Sequence, residues 1–227
     1  MQTGICHIVG AGENYGINFE PGTKDLVIAV DAGFRLLEQK AVRIDLAIGD
    51  FDTLQYIPKH SNVIALKAEK DDTDMLAAVR EGIRAGYSLF HIYCGTGGRL
   101  DHTLANLQVA AALSQEGRQG FVVDRDCIVT AITNQCLILS GDNNGYVSVF
   151  SHTERAEGVY LRGLKYGLED AVLTNNYPLG ISNELIGKES CISVRKGTLL
   201  VFMPRVYLLS DIRLTKSLGA AEASKEK

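Results

Sequence analysis

The sequence predicts an α/β protein in which an N-terminal domain on a mainly parallel sheet precedes a C-terminal antiparallel β-sandwich domain. Three observations carry this expectation. Up to about residue 124, short apolar runs alternate with stretches of helical period, the pattern of strands joined by crossover helices. Beyond it, strand-like runs follow one another with Gly, Asn and Asp between them and no comparable amphipathic helix. The composition is that of an ordinary globular chain, 46% hydrophobic with a net charge of −4 over 227 residues. That length holds one large domain or two of about 100 residues, each able to bury a core without disulfide staples.

In the first half, ICHIV (5–9), LVIAV (26–30), LAI (46–48), VIAL (63–66), LFHIYC (89–94) and GFVV (120–123) are expected strands. They are short, β-rich and bounded by Gly or Asp, as strands buried on both faces should be. DTDMLAAVREGIRAG is an expected helix with Met75, Leu76, Val79 and Ile83 on one face and Asp72 or Thr73 as its cap. DHTLANLQVAAALSQEG is a second, placing Leu104, Leu107 and Ala111 on one stripe and stopping at Gly117. In the second half, IVTAI, CLIL, YVSVF, GVYL, CISV and TLLVF are the expected strands. The domains are set at 1–124 and 125–214, with DRDCIV as the crossover and residues 215–227 as a frayed tail.

Composition also narrows the partners. The five cysteines are scattered without a CxxC pair, which suits reduced core thiols and neither a disulfide framework nor a zinc site. The mildly acidic balance argues against a nucleic-acid partner. No stretch approaches the ~20 apolar residues of a membrane span, and MQTGICHIVGAGE lacks the basic and long apolar regions of a signal peptide, so no membrane partner and a cytoplasmic location are expected.

In a parallel sheet, ligands bind beyond the carboxyl ends of the strands, and that is where the aspartates fall. Asp31 follows LVIAV, Asp50 and Asp52 follow LAIG, Asp71, Asp72 and Asp74 follow VIAL, and Asp101 follows LFHIYC. Any one of these is commonly a turn former or helix cap. Successive strands aiming them at one edge is a different matter. In an extended Asp-Phe-Asp the two carboxylates point the same way and Phe51 can anchor in the core. Carboxylates this close repel unless a cation neutralises them, and an all-oxygen set suits Mg²⁺.

Beside the acids lies CGTGGRLDH, whose Gly95, Gly97 and Gly98 let the backbone approach an anion at the start of a helix. Arg99 can fork two phosphate oxygens. Acids, glycines and one arginine together describe a metal-bound polyphosphate site. For GAGENYG (10–16), phosphate contact and plain loop stand equally. His102 is a base, a phosphate donor or a first-turn residue, with Asn106 on the same helical face. Lys70 meets phosphate or balances local charge. His7, His60, His91 and His152 have no ligand spacing and are expected to be structural.

DAGFRLL, IGDFDTL, KDDTDMLAA, GTGGRLDHTLANL, LKYGLEDAVL and GISNEL, in that order, resemble the thiamine pyrophosphokinase family over about residues 8–204. The resemblance implies an α/β domain, a β-sandwich, and a homodimer with active sites between subunits. It implies Mg²⁺-dependent transfer of the diphosphoryl group of ATP to the hydroxyl of thiamine, giving thiamine diphosphate and AMP. Carried over by motif, Asp50, Asp52, Asp74 and Asp101 would be the catalytic acids and metal ligands, with Asp74 or Asp101 as general base. Asp31, Gly33, Lys70, Thr73, Gly95, Thr96, Gly97, Gly98, Arg99, His102 and Asn106 would hold ATP. Tyr166, Ser182 and Asn183 match the C-terminal motifs and would contact thiamine, with Tyr166 serving as the aromatic face because the chain has no Trp. Three departures stand out: Asp-Ala-Gly at 31–33 for the usual Asp-Gly-Gly, Thr53 for Ser, and no matching motif between Asn106 and Leu164. The alternatives are a diphosphokinase acting on another heterocyclic alcohol such as a pterin, which would keep the acids and GGRxDH but not GISNEL, and a nucleotide-binding protein without turnover.

Overall fold

Strands, helices and their pairing follow from a computed structural model that describes residues 4–67, 69, 71–141, 143–206, 209 and 212–216. Lys70 and the tail from 217 onward lie outside the described residues. The chain divides into two compact units, Met1–Val109 with Arg118–Asp124, and Ala110–Gly117 with Arg125–Lys227.

The first unit contains β1 (Cys6–Val9), β2 (Leu26–Val30), α1 (Gly33–Gln39), β3 (Leu46–Gly49), β4 (Val63–Ala65), α2 (Asp74–Arg84), β5 (Leu89–Tyr93) and β6 (Gln119–Val123). Its strands run in the order β6-β5-β1-β2-β3-β4, and every pair is parallel. The chain steps outward from β1 to β4 and then returns to the other side of β1, so the switch point lies between β1 and β5. Ligand crevices of open α/β sheets form there.

Local chemistry explains the helices. In α2, Thr73 caps the N-terminus through its hydroxyl, which accepts from Leu76 N at 3.2 Å. Its buried face is Met75, Ala78, Val79 and Gly82, while Leu76 and Ile83, expected on that face, are half-buried. Gly82 sets this rotation: a Cβ there would lie 2.6 Å from the Phe90 ring and 2.8 Å from Cys6 Sγ. The helix α1 is absent from the sequence expectation because it has only seven residues, no acid in its first turn and no side-chain cap. The third helix, α3 (Leu100–Gln115), corrects the predicted stripe. Leu104 is 57% exposed and Leu107 half-buried, whereas Asn106, Val109, Ala110, Ala111, Leu113 and Ser114 are buried. Apolar residues occur on both sides of this helix, so period alone does not select its inner face.

The second unit carries β7 (Cys127–Thr133), β8 (Gln135–Leu139), β9 (Tyr146–Ser151), β10 (Arg155–Arg162), β11 (Leu168–Thr174), β12 (Gly180–Glu184), β13 (Ser190–Lys196), β14 (Thr198–Pro204) and β15 (Arg213–Lys216). They form the orders β12-β9-β14-β7 and β11-β10-β13-β8-β15, all antiparallel. The sheets pack through β7 on β13 and β9 on β11. Leu137, Leu139, Ile192 and Val194 of one, and Val147, Val149, Leu199 and Val201 of the other, are fully buried. Three strands escaped the sequence expectation: β11, an edge strand of mostly exposed or half-exposed residues, β12, short and bulged, and β15, at the other edge.

Candidate functional site

A cleft of about 580 Å³ opens at the carboxyl ends of β1, β2, β3 and β5 within the first unit. Of the residues singled out in the sequence, Asp31, Asp50, Asp52, Thr73, Asp74, Gly95, Gly97, Gly98, Arg99, His102 and Asn106 line it. Gly33, Thr96 and Asp101 do not. Asp72, one of the aspartates expected at this edge, and Gly10 and Gly12 of the GAGENYG turn line it as well, as do Thr53, Met75 and Cys94, which the sequence does not mark for the site. Asp72 pairs there with Arg80.

The acids converge by left-handed backbone turns at the strand ends. Asp31, directly after β2, has φ +47, and Phe51, two residues after β3, has φ +58. This corrects the extended Asp-Phe-Asp: Phe51 is anchored in the core at 2% exposure, but the two carboxylates meet through a tight turn in which Asp52 N donates to Asp50 Oδ1 at 3.3 Å. Cys94, after β5, is left-handed too, at φ +52. Non-glycine residues in this region carry roughly 1–3 kcal/mol of strain each, which the surrounding packing must hold. The product is a group of three carboxylates, Asp31, Asp50 and Asp52, with oxygens all within 4.8 Å of one another. Burial raises the Asp31 pKa above the ordinary carboxylate value; the Thr53 hydroxyl opposes this, and the charges of Asp52, Asp50 and Asp74 add to it. Asp31 Oδ1 is buried with no hydrogen-bond partner among the described residues. A hard divalent cation fits such a donor set: it would supply the missing partner and offset the repulsion.

Next to the acids, two loops are zipped together at the switch point. Gly10 N donates to Tyr93 O at 2.8 Å, Gly12 N to Cys94 O at 2.8 Å, and Glu13 N to Thr96 O at 2.9 Å. The GAGENYG turn therefore spends these N–H groups on the protein. Its glycines serve close approach, since a Cβ at Gly12 would lie 2.5 Å from Thr96 O. The second loop is pinned from below: Asn106 Nδ2 donates to Gly95 O at 2.6 Å, and the buried Thr96 hydroxyl donates to Asp124 Oδ1 at 2.5 Å. At Gly98, φ +61, an added Cβ would meet nothing within 4 Å, so this Cα faces open space. Gly33 has a packing duty instead: a Cβ there would lie 2.1 Å from Val9 O.

Arg99 and Asp101 pair with each other, Nη2 to Oδ2 at 2.6 Å, and both are exposed. The hydrogen bond raises the Arg99 pKa and lowers that of Asp101. Asp101 also accepts from His102 N at 2.9 Å and is not part of the carboxylate group. Tyr166, Ser182 and Asn183 belong to the second unit. There, Asn183 is tied to the Tyr166 backbone by two hydrogen bonds, and Ser182, at φ +55, is exposed with its N–H donating to Ser148 Oγ at 3.0 Å.

Residues 22–122 match the family described as thiamin pyrophosphokinase, catalytic domain, and residues 136–199 the one described as thiamin pyrophosphokinase, vitamin B1 binding domain. The chain belongs to the thiamine pyrophosphokinase family. It is 29% identical over 184 residues to the thiamine pyrophosphokinase of Bacillus subtilis strain 168, covering 78% of this chain and 86% of that protein. The crystal structure of thiamine pyrophosphokinase from Bacillus subtilis superposes with a TM-score of 0.75 at 25% identity, over 88% of this chain and 98% of that one. That of a thiamin pyrophosphokinase family protein from Enterococcus faecalis gives 0.76 at 27% identity, over 89% and 99%. The chain is thus an enzyme with thiamine pyrophosphokinase activity. The catalytic-domain match takes in the cleft's aspartates, Arg99, His102 and Asn106 but not Gly10 to Gly12, and the B1-binding match takes in Tyr166, Ser182 and Asn183.

Proposed function

We propose that the cleft of the first unit binds ATP with Mg²⁺ and passes the diphosphoryl group to the hydroxyl of thiamine. The observation that carries this reading is the meeting of three carboxylates within 4.8 Å in the same cleft as Gly98, Arg99 and His102. Asp31, Asp50 and Asp52 would hold Mg²⁺, which when bound neutralises phosphate charge during transfer. Arg99, exchanging Asp101 for phosphate, and His102 would meet phosphate oxygens, with Gly98 leaving room for their approach. The thiamine hydroxyl oxygen bonds to the β-phosphorus, the bond from that phosphorus to the α,β-bridging oxygen breaks, and AMP leaves with that oxygen. The hydroxyl proton goes to a carboxylate. Of the two expected bases, Asp74 lines the cleft and Asp101 is engaged by Arg99, which favours Asp74. Such a reaction draws its rate from positioning and charge neutralisation.

In this reading Tyr166 offers thiamine its aromatic face. The functional form is a homodimer, a reading supported by the large apolar side chains exposed on the second unit, Tyr146, Tyr177 and Ile181 among them. Five free cysteines suit a reducing compartment such as the cytoplasm. No helix among the described residues is long and apolar enough to cross a membrane. The test is to incubate the protein with ATP, Mg²⁺ and thiamine and to separate products by anion exchange. AMP and thiamine diphosphate in equal amounts are expected. ATP consumption only with a pterin alcohol, or none with any acceptor, would overturn the reading.

A further inference from the structure

We propose that Asn183 is a positioning residue, which clamps the backbone of Tyr166 and so fixes the ring offered to thiamine instead of touching thiamine itself. The proposal rests on the reading that Tyr166 faces thiamine. Its origin is a β-bulge. Along β12 and β9 the pairing passes from Gly180↔Val149 to Asn183↔Val147, three residues against two, with Ser182 left-handed in between. In a regular strand Asn183 would share the face of Ile181, which is 52% exposed. The extra residue returns it to the face of Gly180, and Asn183 is 3% exposed.

There its amide replaces a strand. Asn183 Oδ1 accepts from Tyr166 N at 2.9 Å and from Glu184 N at 2.9 Å, while Nδ2 donates to Tyr166 O at 2.7 Å. Both lone pairs of Oδ1 are thereby used, so the amide oxygen has no acceptor capacity left for a ligand. Its neighbours extend the clamp: Lys165 N donates to Glu184 O at 2.9 Å, Lys165 Nζ pairs with Glu184 Oε1 at 2.8 Å, and Leu164 bridges Leu185. Tyr166 itself is 57% exposed, with Lys165 Nζ 5.4 Å from its ring centroid. An exposed aromatic ring loses conformational freedom when a ligand stacks on it, and a backbone clamped beforehand reduces that loss.

The chain contains no Trp, so Tyr166→Trp introduces a single indole whose fluorescence reports this position in the full-length enzyme. Thiamine should quench it in Tyr166→Trp; turnover without any fluorescence change would refute the reading that Tyr166 faces thiamine and overturn the proposal with it, with the activity itself left standing. With quenching established, Asn183→Ala in that background should raise KM for thiamine about tenfold, leave KM for ATP unchanged, and lower the anisotropy of the indole before thiamine is added. A raised KM with unchanged anisotropy would make Asn183 a direct contact and overturn the proposal, as would an unchanged KM. If Asn183→Ala does not fold, Asn183→Ser is read by the same three quantities.

Discussion

The two candidate regions are built on opposite principles. In the first unit, the site is a convergence of strand ends: Asp31 after β2, Asp50 and Asp52 after β3, and Gly95 to Gly98 after β5 come together because parallel strands all end on one edge. In the second, the Tyr166 region depends on one bulge and one buried amide that stands in for a missing strand. Topology places the first set before any side chain makes a bond. The second exists only as long as a few specific hydrogen bonds do. Under the proposed assignment, charge chemistry would sit on the strand edge and thiamine fitting in a region that one residue can retune.

The largest effect should come from breaking the charge convergence. Asp50→Asn is expected to lower kcat by about 10²–10³-fold with little change in the melting temperature, because it removes charge from a site and no core contact. Wild-type turnover in this variant would remove the metal-site account. Next comes the contrast between two glycines of the same edge. Gly33→Ala should cost about 1–3 kcal/mol in urea denaturation, since its Cβ would lie 2.1 Å from Val9 O. Gly98→Ala, with open space but φ +61, should cost about 1–2 kcal/mol through the left-handed backbone alone and should also raise KM for ATP, which Gly33→Ala should leave unchanged. Equal changes in KM for ATP would show that the two glycines are not divided between packing and ligand access.

The last effect, on stability and not on turnover, concerns the sheet beneath the cleft. His7 and His91 are paired neighbours on β1 and β5 with ring centroids 5.3 Å apart. Burial lowers both pKa values, that of His91 to about 3, and Asp25 partly opposes the shift at His7. A histidine depressed in the folded state binds its proton more readily in the unfolded chain. Its contribution is therefore complete above about pH 6.5 and is lost as the pH falls toward the folded value, at up to roughly 1.4 kcal/mol per pH unit. The urea midpoint of the wild type should fall between about pH 6.5 and 5, and His91→Gln should flatten that slope. A pH-independent midpoint in the wild type would contradict it.

The same contrast governs what could be read from the sequence. Aspartates after successive strands were legible because strand order and strand polarity are written in short apolar runs, and eleven of the expected site residues do line the cleft. What the pattern could not show was backbone hand. The left-handed turn at Phe51 replaces an extended segment, and the inward Thr96 hydroxyl goes to Asp124, a partner 28 residues away. Leu104 was assigned to the buried stripe of a helix that is apolar on more than one side. In the second unit the loss is greater, since edge strands such as β11 carry little burial signal and a bulge leaves none. The motif GISNEL marks the place, but which of Ser182 and Asn183 turns inward depends on the register of β12 against β9.

The most direct test of the carboxylate site is turnover measured across a Mg²⁺ titration at fixed ATP and thiamine, for the wild type and Asp52→Asn. Wild-type activity should vanish in EDTA, and the variant should need at least about tenfold more Mg²⁺ to reach half of its own maximum, the cost of one lost carboxylate ligand. Undiminished turnover in EDTA, or coincident Mg²⁺ curves for the two proteins, would contradict the assignment of Asp31, Asp50 and Asp52 to the metal.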